Sequence, residues 1–283
     1  MTVTLEQPVE TGSPGLWVAY QWELEKLSAQ ARTRLVAAIC LLAPLLFAAG
    51  LQLSSTVPAD TLFGRWVGDS GYAIPLVVLG FAGSWGFPLV VCLVAGDIFA
   101  AEDQYQTWTA ILTRSVSRRD VFTGKVLAAM TYAVCALTLL CLSSLAGGLA
   151  LIGHQQIVGL SGNTVPAGHA LALVLVSWLV AAPSVLAFAA FGVLVSIATR
   201  NGLAGVIVPT VVGLALQLLL LVGGIGPVRQ LLPNAGFVAW HGMWASPTFQ
   251  QPIIKGTLAA VVYAAMCLAI GWRLFRRRDV TAA

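Results

Sequence analysis

The chain has 283 residues, of which 58% are hydrophobic and 9% charged, with a formal net charge of +4 and a mean hydropathy of +0.88. An ordinary soluble domain carries roughly 25% charged residues, so a water-soluble globular protein is excluded and lipid is the expected solvent. The five cysteines (Cys40, Cys92, Cys135, Cys141, Cys267) all fall in apolar runs and read as small apolar side chains rather than disulfide partners, and the excess cations are placed for membrane orientation rather than for nucleic acid.

Residues 1–34 precede the first long apolar run. Glu6, Glu10, Glu23 and Glu25 in this segment do not match a cleavable signal peptide with a basic start, so the first span is expected to be retained. The stretch GLWVAYQWELEKL sets Leu16, Tyr20, Glu23, Leu24 and Leu27 at helical spacing, with Trp17 and Trp22 suited to the headgroup layer. It predicts an amphipathic helix lying on the membrane surface. A soluble helix packed on cytosolic loops is the alternative that the pattern leaves open.

Apolar runs follow at about 35–53, 72–96, 126–152, 170–197, 203–225 and 256–274, each long enough for roughly 30 Å of hydrocarbon. Residues 35–283 therefore read as one all-α integral membrane domain of six transmembrane helices; continuous apolar blocks, without alternation, disfavour a β-barrel. Pro183 in the fourth run predicts a kink or tilt. If the N-terminus is cytoplasmic, twelve of the 15 Lys and Arg residues share its side, and only Arg65, Arg229 and Lys255 face the other. Under the positive-inside rule both termini are cytoplasmic.

Between the second and third runs lies a cytoplasmic loop, residues 97–125, which holds an unusual share of the charge. A helix from about Glu102 to Thr113 would bring Tyr105, Trp108, Ile111 and Leu112 onto one face, suited to a lipid interface or to a groove on another protein. A loop whose arginines only set topology is the plainer reading. Glu102, at the exit of the second span, is expected to pair with Arg118 or Arg119.

Within the second run, LGFAGSWGFP repeats glycine at Gly80, Gly83 and Gly86, which reads either as close helix packing or as a flexible wall with Phe81 and Trp85 facing a cavity. The fifth run offers one amide, Gln217, in an aliphatic setting where it wants a partner. The outer loop, 226–252, carries Phe237, Trp240 and Trp244, and predicts short helices resting at the outer interface. No G-x-x-x-x-G-K-[ST] phosphate loop is present, the three histidines are scattered, and no catalytic set falls in one region, so an enzyme and a metal site both lack support.

Glu102, then Thr107, then ILTRSVSRRD and the pair Gly124 and Lys125 opening the next helix resemble the cytoplasmic loop of ABC-2-type transporter permeases. The six-span layout, the surface helix and the tail LFRRRDV resemble that family as well, so the likeness covers most of the chain, with its sharp part between Glu102 and Lys125. Two positions depart: Gln106 stands where a Gly is frequent, and Ser115 where a Pro is frequent.

The resemblance implies the transmembrane permease subunit of an ATP-binding cassette exporter in a bacterial plasma membrane. The loop would be a coupling helix that docks on a separate cytosolic ATPase subunit, through Glu102, Tyr105, Thr107, Trp108, Ile111, Arg118 and Arg119. Phe81, Trp85 and Gln217 would line the substrate pathway, because the second and fifth spans line it in related permeases. Two ATPase subunits would carry ATP and Mg, and a second permease, identical or similar, would complete the pathway. This chain would bind no cofactor of its own, touch membrane lipids but no nucleic acid, and move a hydrophobic or amphipathic, drug-like or lipid-like cargo. An ion-coupled secondary transporter, or a non-transporting membrane scaffold, is the alternative; the former is disfavoured because Asp97, Glu102 and Lys255 sit at span ends rather than mid-membrane.

Overall fold

The computed structural model describes residues 15–54, 61–109, 117–221 and 226–278. A helix is present where the spacing predicts one, α1 (Leu16–Ala29), with Ala19 and Leu27 buried and Trp17 and Trp22 exposed. Gln30, in an extended conformation (φ −73°, ψ 129°), interrupts it and lets α2 (Ala31–Leu53) leave in a new direction.

The second apolar run is helical from Ala73 to Ala95 but not as one α-helix. It divides into α3 (Ala73–Phe81), a π-helical segment (Ala82–Gly86) and α4 (Phe87–Ala95). Pro88 near the start of α4 has no N–H to close a regular α-helical bond, and the glycines before it resist a wider turn least. α5 (Ala100–Gln104) follows, and then α6 (Arg118–Leu151). The last begins well ahead of its apolar stretch because Ser117 caps it: its hydroxyl accepts from Asp120 N–H at 3.0 Å and donates to the Asp120 carboxylate at 2.6 Å.

A two-residue hairpin, β1 (Ile157–Val158) with β2 (Thr164–Val165), leads to α7 (Ala167–Thr199), and Arg200 in the left-handed region (φ 56°) ends that helix. α8 (Gly202–Leu221), α9 (Gly226–Arg229), α10 (Gly236–Ala239) and α11 (Gln251–Arg276) complete the chain, with short 3₁₀ turns on either side of α10. Pro183 is accommodated within α7 without ending it.

Among the described residues, five helices, α2, α6, α7, α8 and α11, are long and apolar enough to cross a membrane. The protein is thus mostly helical and multi-pass. Helix α7 occupies the centre, packed on α4, α6, α8, α10 and α11. Its buried positions are largely small (Ala181, Ser184, Ala189, Ala190, Gly192, Ser196), as close packing between helices in lipid requires. Large aliphatic side chains such as Leu35, Leu46, Leu179 and Leu258 are exposed, on surfaces that hydrocarbon would cover.

The segment before α11 forms short helices as its composition predicts, but its rings do not rest at an interface. Phe237, Trp240 and Trp244 are all buried. Phe237 stacks between Phe87 and Phe188, with ring centres 5.9 and 6.0 Å away, and Trp244 Nε1 donates to Ser177 Oγ at 3.0 Å. Asn234 Nδ2 donates to the Gly213 carbonyl at 3.0 Å. Large rings gain more by close packing inside the bundle than by lying flat on it, and the indole N–H has a partner there. These residues therefore plug the end of the bundle remote from α1 and α5.

Candidate functional site at the charge-rich end

The loop that carries the predicted coupling residues is held at its start. Ser196 Oγ on α7 accepts from the backbone N–H groups of Phe99 (3.3 Å) and Ala100 (3.0 Å), fixing the first turn of α5. Helix α5 then stops at Gln104, where the spacing predicts a continuation to Thr113. Gln106 takes a left-handed conformation (φ 52°), and Thr107 N–H returns to the Glu102 carbonyl at 3.0 Å. Tyr105 and Trp108 are thereby parted. Tyr105 points outward, 71% exposed, whereas Trp108 is buried at 6%. Ile111, Leu112 and Arg114 lie outside the described residues.

Glu102 does not pair with Arg118 or Arg119. Lys125 lies seven residues, about 10 Å, further along α6, and it is Lys125 that stands level with Glu102. Lys125 Nζ donates to Glu102 Oε1 at 2.8 Å, to Glu23 Oε1 at 2.7 Å and to the Ile98 carbonyl at 3.1 Å. Lys26 donates to the same Glu102 oxygen, and Thr107 Oγ1 donates to the other. The side chains of Lys125 and Glu102 are almost wholly buried. Two carboxylates and two ammonium groups from α1, α5 and α6 thus form a neutral cluster, which is how buried charge is tolerated. Burial pushes the Glu102 carboxyl upward, but the Lys125 charge and the hydrogen bonds from Lys125, Lys26 and Thr107 outweigh it and bring it down to about 2. A second pair, Arg32 with Asp97 at 2.5 Å, ties the start of α2 to the turn after α4.

Beneath the cluster lies an aromatic box of Phe99, Trp108, Phe122 and Phe275, whose centroids approach to 5.3–6.2 Å. Lys125 Nζ is 5.8 Å from the Phe99 ring centre and 5.9 Å from that of Trp108. Arg118 turns away from the cluster and donates to the carbonyls of Arg278 (2.8 Å) and Arg276 (3.3 Å), while Arg119 is exposed. The predicted residues therefore separate by role. Glu102, Thr107 and Trp108 face inward, Arg118 holds the end of α11, and Tyr105 and Arg119 are presented to the outside.

Sequence reasoning passed over Glu23, Lys26, Asp103, Lys125 and Arg278 as parts of this site. One signal was available: Lys125 directly precedes a long apolar run, where an unpaired ammonium would be costly, so a carboxylate partner was required.

Phe81 directly precedes the π-helical segment and Trp85 lies within it, and each is about half exposed. They form a shared wall between two hollows. One, about 440 Å³, is open and almost wholly apolar, lined by Pro44, Phe47, Val78 and Leu140 among others; the second, about 220 Å³, lies under the plug and is lined by Phe63, Phe237, Trp240 and His241. His241 is held neutral, since burial and then the nearby Arg229 charge lower it to about 4. Gln217 is buried on α8 but lines neither hollow.

The profile of a family described as ABC-2 family transporter protein matches residues 20–225, which is more than half of the chain and includes α2 to α8 together with most of α1. A comparison with curated proteins gives no match.

Proposed function

The chain belongs to the ABC-2 transporter family, and on that premise we propose that it is the transmembrane permease subunit of an ATP-driven exporter. Helix α3, the π-helical segment and α4 make the sixth crossing, both termini and the charge-rich end lie in the cytoplasm, and the membrane is a bacterial plasma membrane. ATP and Mg bind to a separate cytosolic ATPase, present in two copies, and a second permease, the same or similar, supplies the other half of the pathway. This chain hydrolyses nothing and holds no metal.

The observation that supports this reading best is the wiring of residues 102–108 into the bundle. Glu102 is joined to α6 through Lys125 and to α1 through Lys26, so a displacement of this turn must be carried by two helices at once. Closure of the ATPase subunits would push on the exposed Tyr105 and Arg119, and the charge cluster would pass the push to α1 and α6. Tyr105→Ala combined with Arg119→Glu should therefore lower the amount of ATPase subunit retained on the purified permease at least about tenfold, with the chain's own thermal unfolding unchanged. Retention equal to the wild type would sink the docking role.

For the pathway, the two hollows on either side of Phe81 and Trp85 support a route that enters from lipid on the α2 side and rises toward the plug. The nearly apolar lining of the larger one suits a hydrophobic or amphipathic cargo. Trp85→Ala removes a wall rather than a core side chain. It should change export of such cargo by about 3- to 30-fold while leaving basal ATP hydrolysis by the assembled complex alone; export equal to wild type for every cargo tried removes Trp85 from the route.

A further inference from the structure

Three consecutive arginines at the end of an apolar helix, here Arg276, Arg277 and Arg278, ordinarily form a basic anchor, which would keep all three in the headgroup layer. They separate instead: Arg276 and Arg277 are exposed, while Arg278 is 8% exposed. Arg278 Nη2 donates to Asp103 Oδ2 at 2.8 Å, and Oδ1 of the same carboxylate accepts from Trp108 Nε1 at 3.0 Å. The guanidinium carbon stands 5.9 Å from the centre of the Trp108 ring, and Phe275, one turn earlier on α11, lies 5.3 Å from it. Arg118, at the first turn of α6, donates to the carbonyls of Arg278 and Arg276, which the end of a helix leaves without partners of its own.

We infer that the last turn of α11 and its tail form a clasp on the docking turn, with Asp103, Phe275 and Arg278 as positioning residues for coupling to the ATPase. The inference deepens the proposed function and rests on its reading of this turn as the docking segment. Trp108 is held by a carboxylate on its N–H and by an aromatic ring and a guanidinium against its rings. The turn therefore cannot shift without moving α11, and the final membrane helix receives the same displacement as α6. An anchor that only set topology would respond alike to charge reversal at Arg277 and at Arg278. A clasp makes the third arginine different from the second.

The test uses the full chain in detergent and follows tryptic cleavage after Arg118, whose side chain the tail holds. Cleavage of a folded segment tracks its opening, so loss of a buried ion pair should speed it by about tenfold. Arg278→Asp should show that acceleration, Arg278→Gln a smaller one, and Arg277→Asp none; the exchange Asp103→Arg with Arg278→Asp should recover most of the protection. Equal rates for Arg277→Asp and Arg278→Asp, or an exchange variant no better protected than Arg278→Asp alone, overturn the clasp. In the complex with its ATPase, Arg278→Asp should keep the subunit bound yet lower transport per ATP about tenfold, with recovery in the exchange variant. An unchanged ratio overturns the positioning role. A wild-type chain that binds no ATPase while the cleavage pattern holds defeats the proposed function and leaves the clasp standing.

Discussion

Glu102→Gln should destabilise the purified chain by about 3–5 kcal/mol, the range expected when one member of a buried ion pair is removed and the other stays charged. Lys125 would keep its ammonium in a site that is 1% exposed, with Glu23 as its remaining anionic partner. Lys125→Met should cost a similar amount, because Glu23 and Glu102 would then lose the cation they share, leaving Lys26 on Glu102 alone. The double variant Glu102→Gln/Lys125→Met should lose clearly less than the sum of the singles, since it removes the stranded charges along with the pair. Lys26→Met is the internal control: its side chain is 39% exposed, and it should cost no more than about 1 kcal/mol. Thermal unfolding in detergent gives all four values. Losses that simply add would show that the cluster is not a unit.

The same carboxylate sets an acid limit. Its folded value of about 2 lies below the ordinary 4.5, so its contribution is complete above pH 4.5 and is lost as pH falls from there toward 2. Wild-type stability arising from this group should be flat across neutral pH and decline only in acid. Glu102→Gln should abolish that part of the decline, and a wild-type curve that already bends between pH 6 and 7 would have to come from another group.

The apolar runs were legible because lipid imposes a length and a composition on anything that crosses it. The packing of α1 was half legible: its spacing identified the helix, but only tertiary contact could show that Glu23 and Lys26 turn toward α6 rather than toward headgroups. The loop of residues 97–125 was misread for a specific reason. Helical spacing would place Tyr105 and Trp108 on one face, and nothing in Gln104–Gln106 signals a stop, since Gln rarely takes the left-handed conformation that Gly takes freely. The Gly frequent at this position in the resembling permeases is the residue that such a backbone favours. Here Gln106 takes that conformation without the visible sign. The partner of Glu102 was hidden by distance along α6: Arg118 and Arg119 open that helix about two turns before Lys125, and it is Lys125 that is level with Glu102.

Gly205→Ala should produce the largest effect of any change that adds a single carbon. A Cβ at Gly205 would stand 1.9 Å from the Gly96 carbonyl oxygen and 2.6 Å from its carbonyl carbon, and a Cβ at Gly96 would stand 2.3 Å from the Gly205 carbonyl. Both obstacles are backbone, so no side chain can swing aside; α4 and α8 would have to part by about 1 Å or more to restore ordinary contact. Overpacking of this kind costs about 1–3 kcal/mol, and a backbone clash belongs at or beyond the upper end. The consequence for function follows from what comes next in the chain. Asp97, beside Gly96, pairs with Arg32, and its Oδ1 would lie 2.0 Å from a Cβ at Gly202. A shift of α8 therefore moves the turn that leads into α5 and carries Glu102 away from Lys125. Gly205→Ala should lower both the unfolding temperature and the transport obtained per ATP in the assembled complex. Gly50→Ala, where a Cβ meets nothing within 4 Å, should change neither. If Gly205→Ala matches Gly50→Ala in both measurements, the two helices are not in contact at this point, and the path from the docking turn to α8 does not exist.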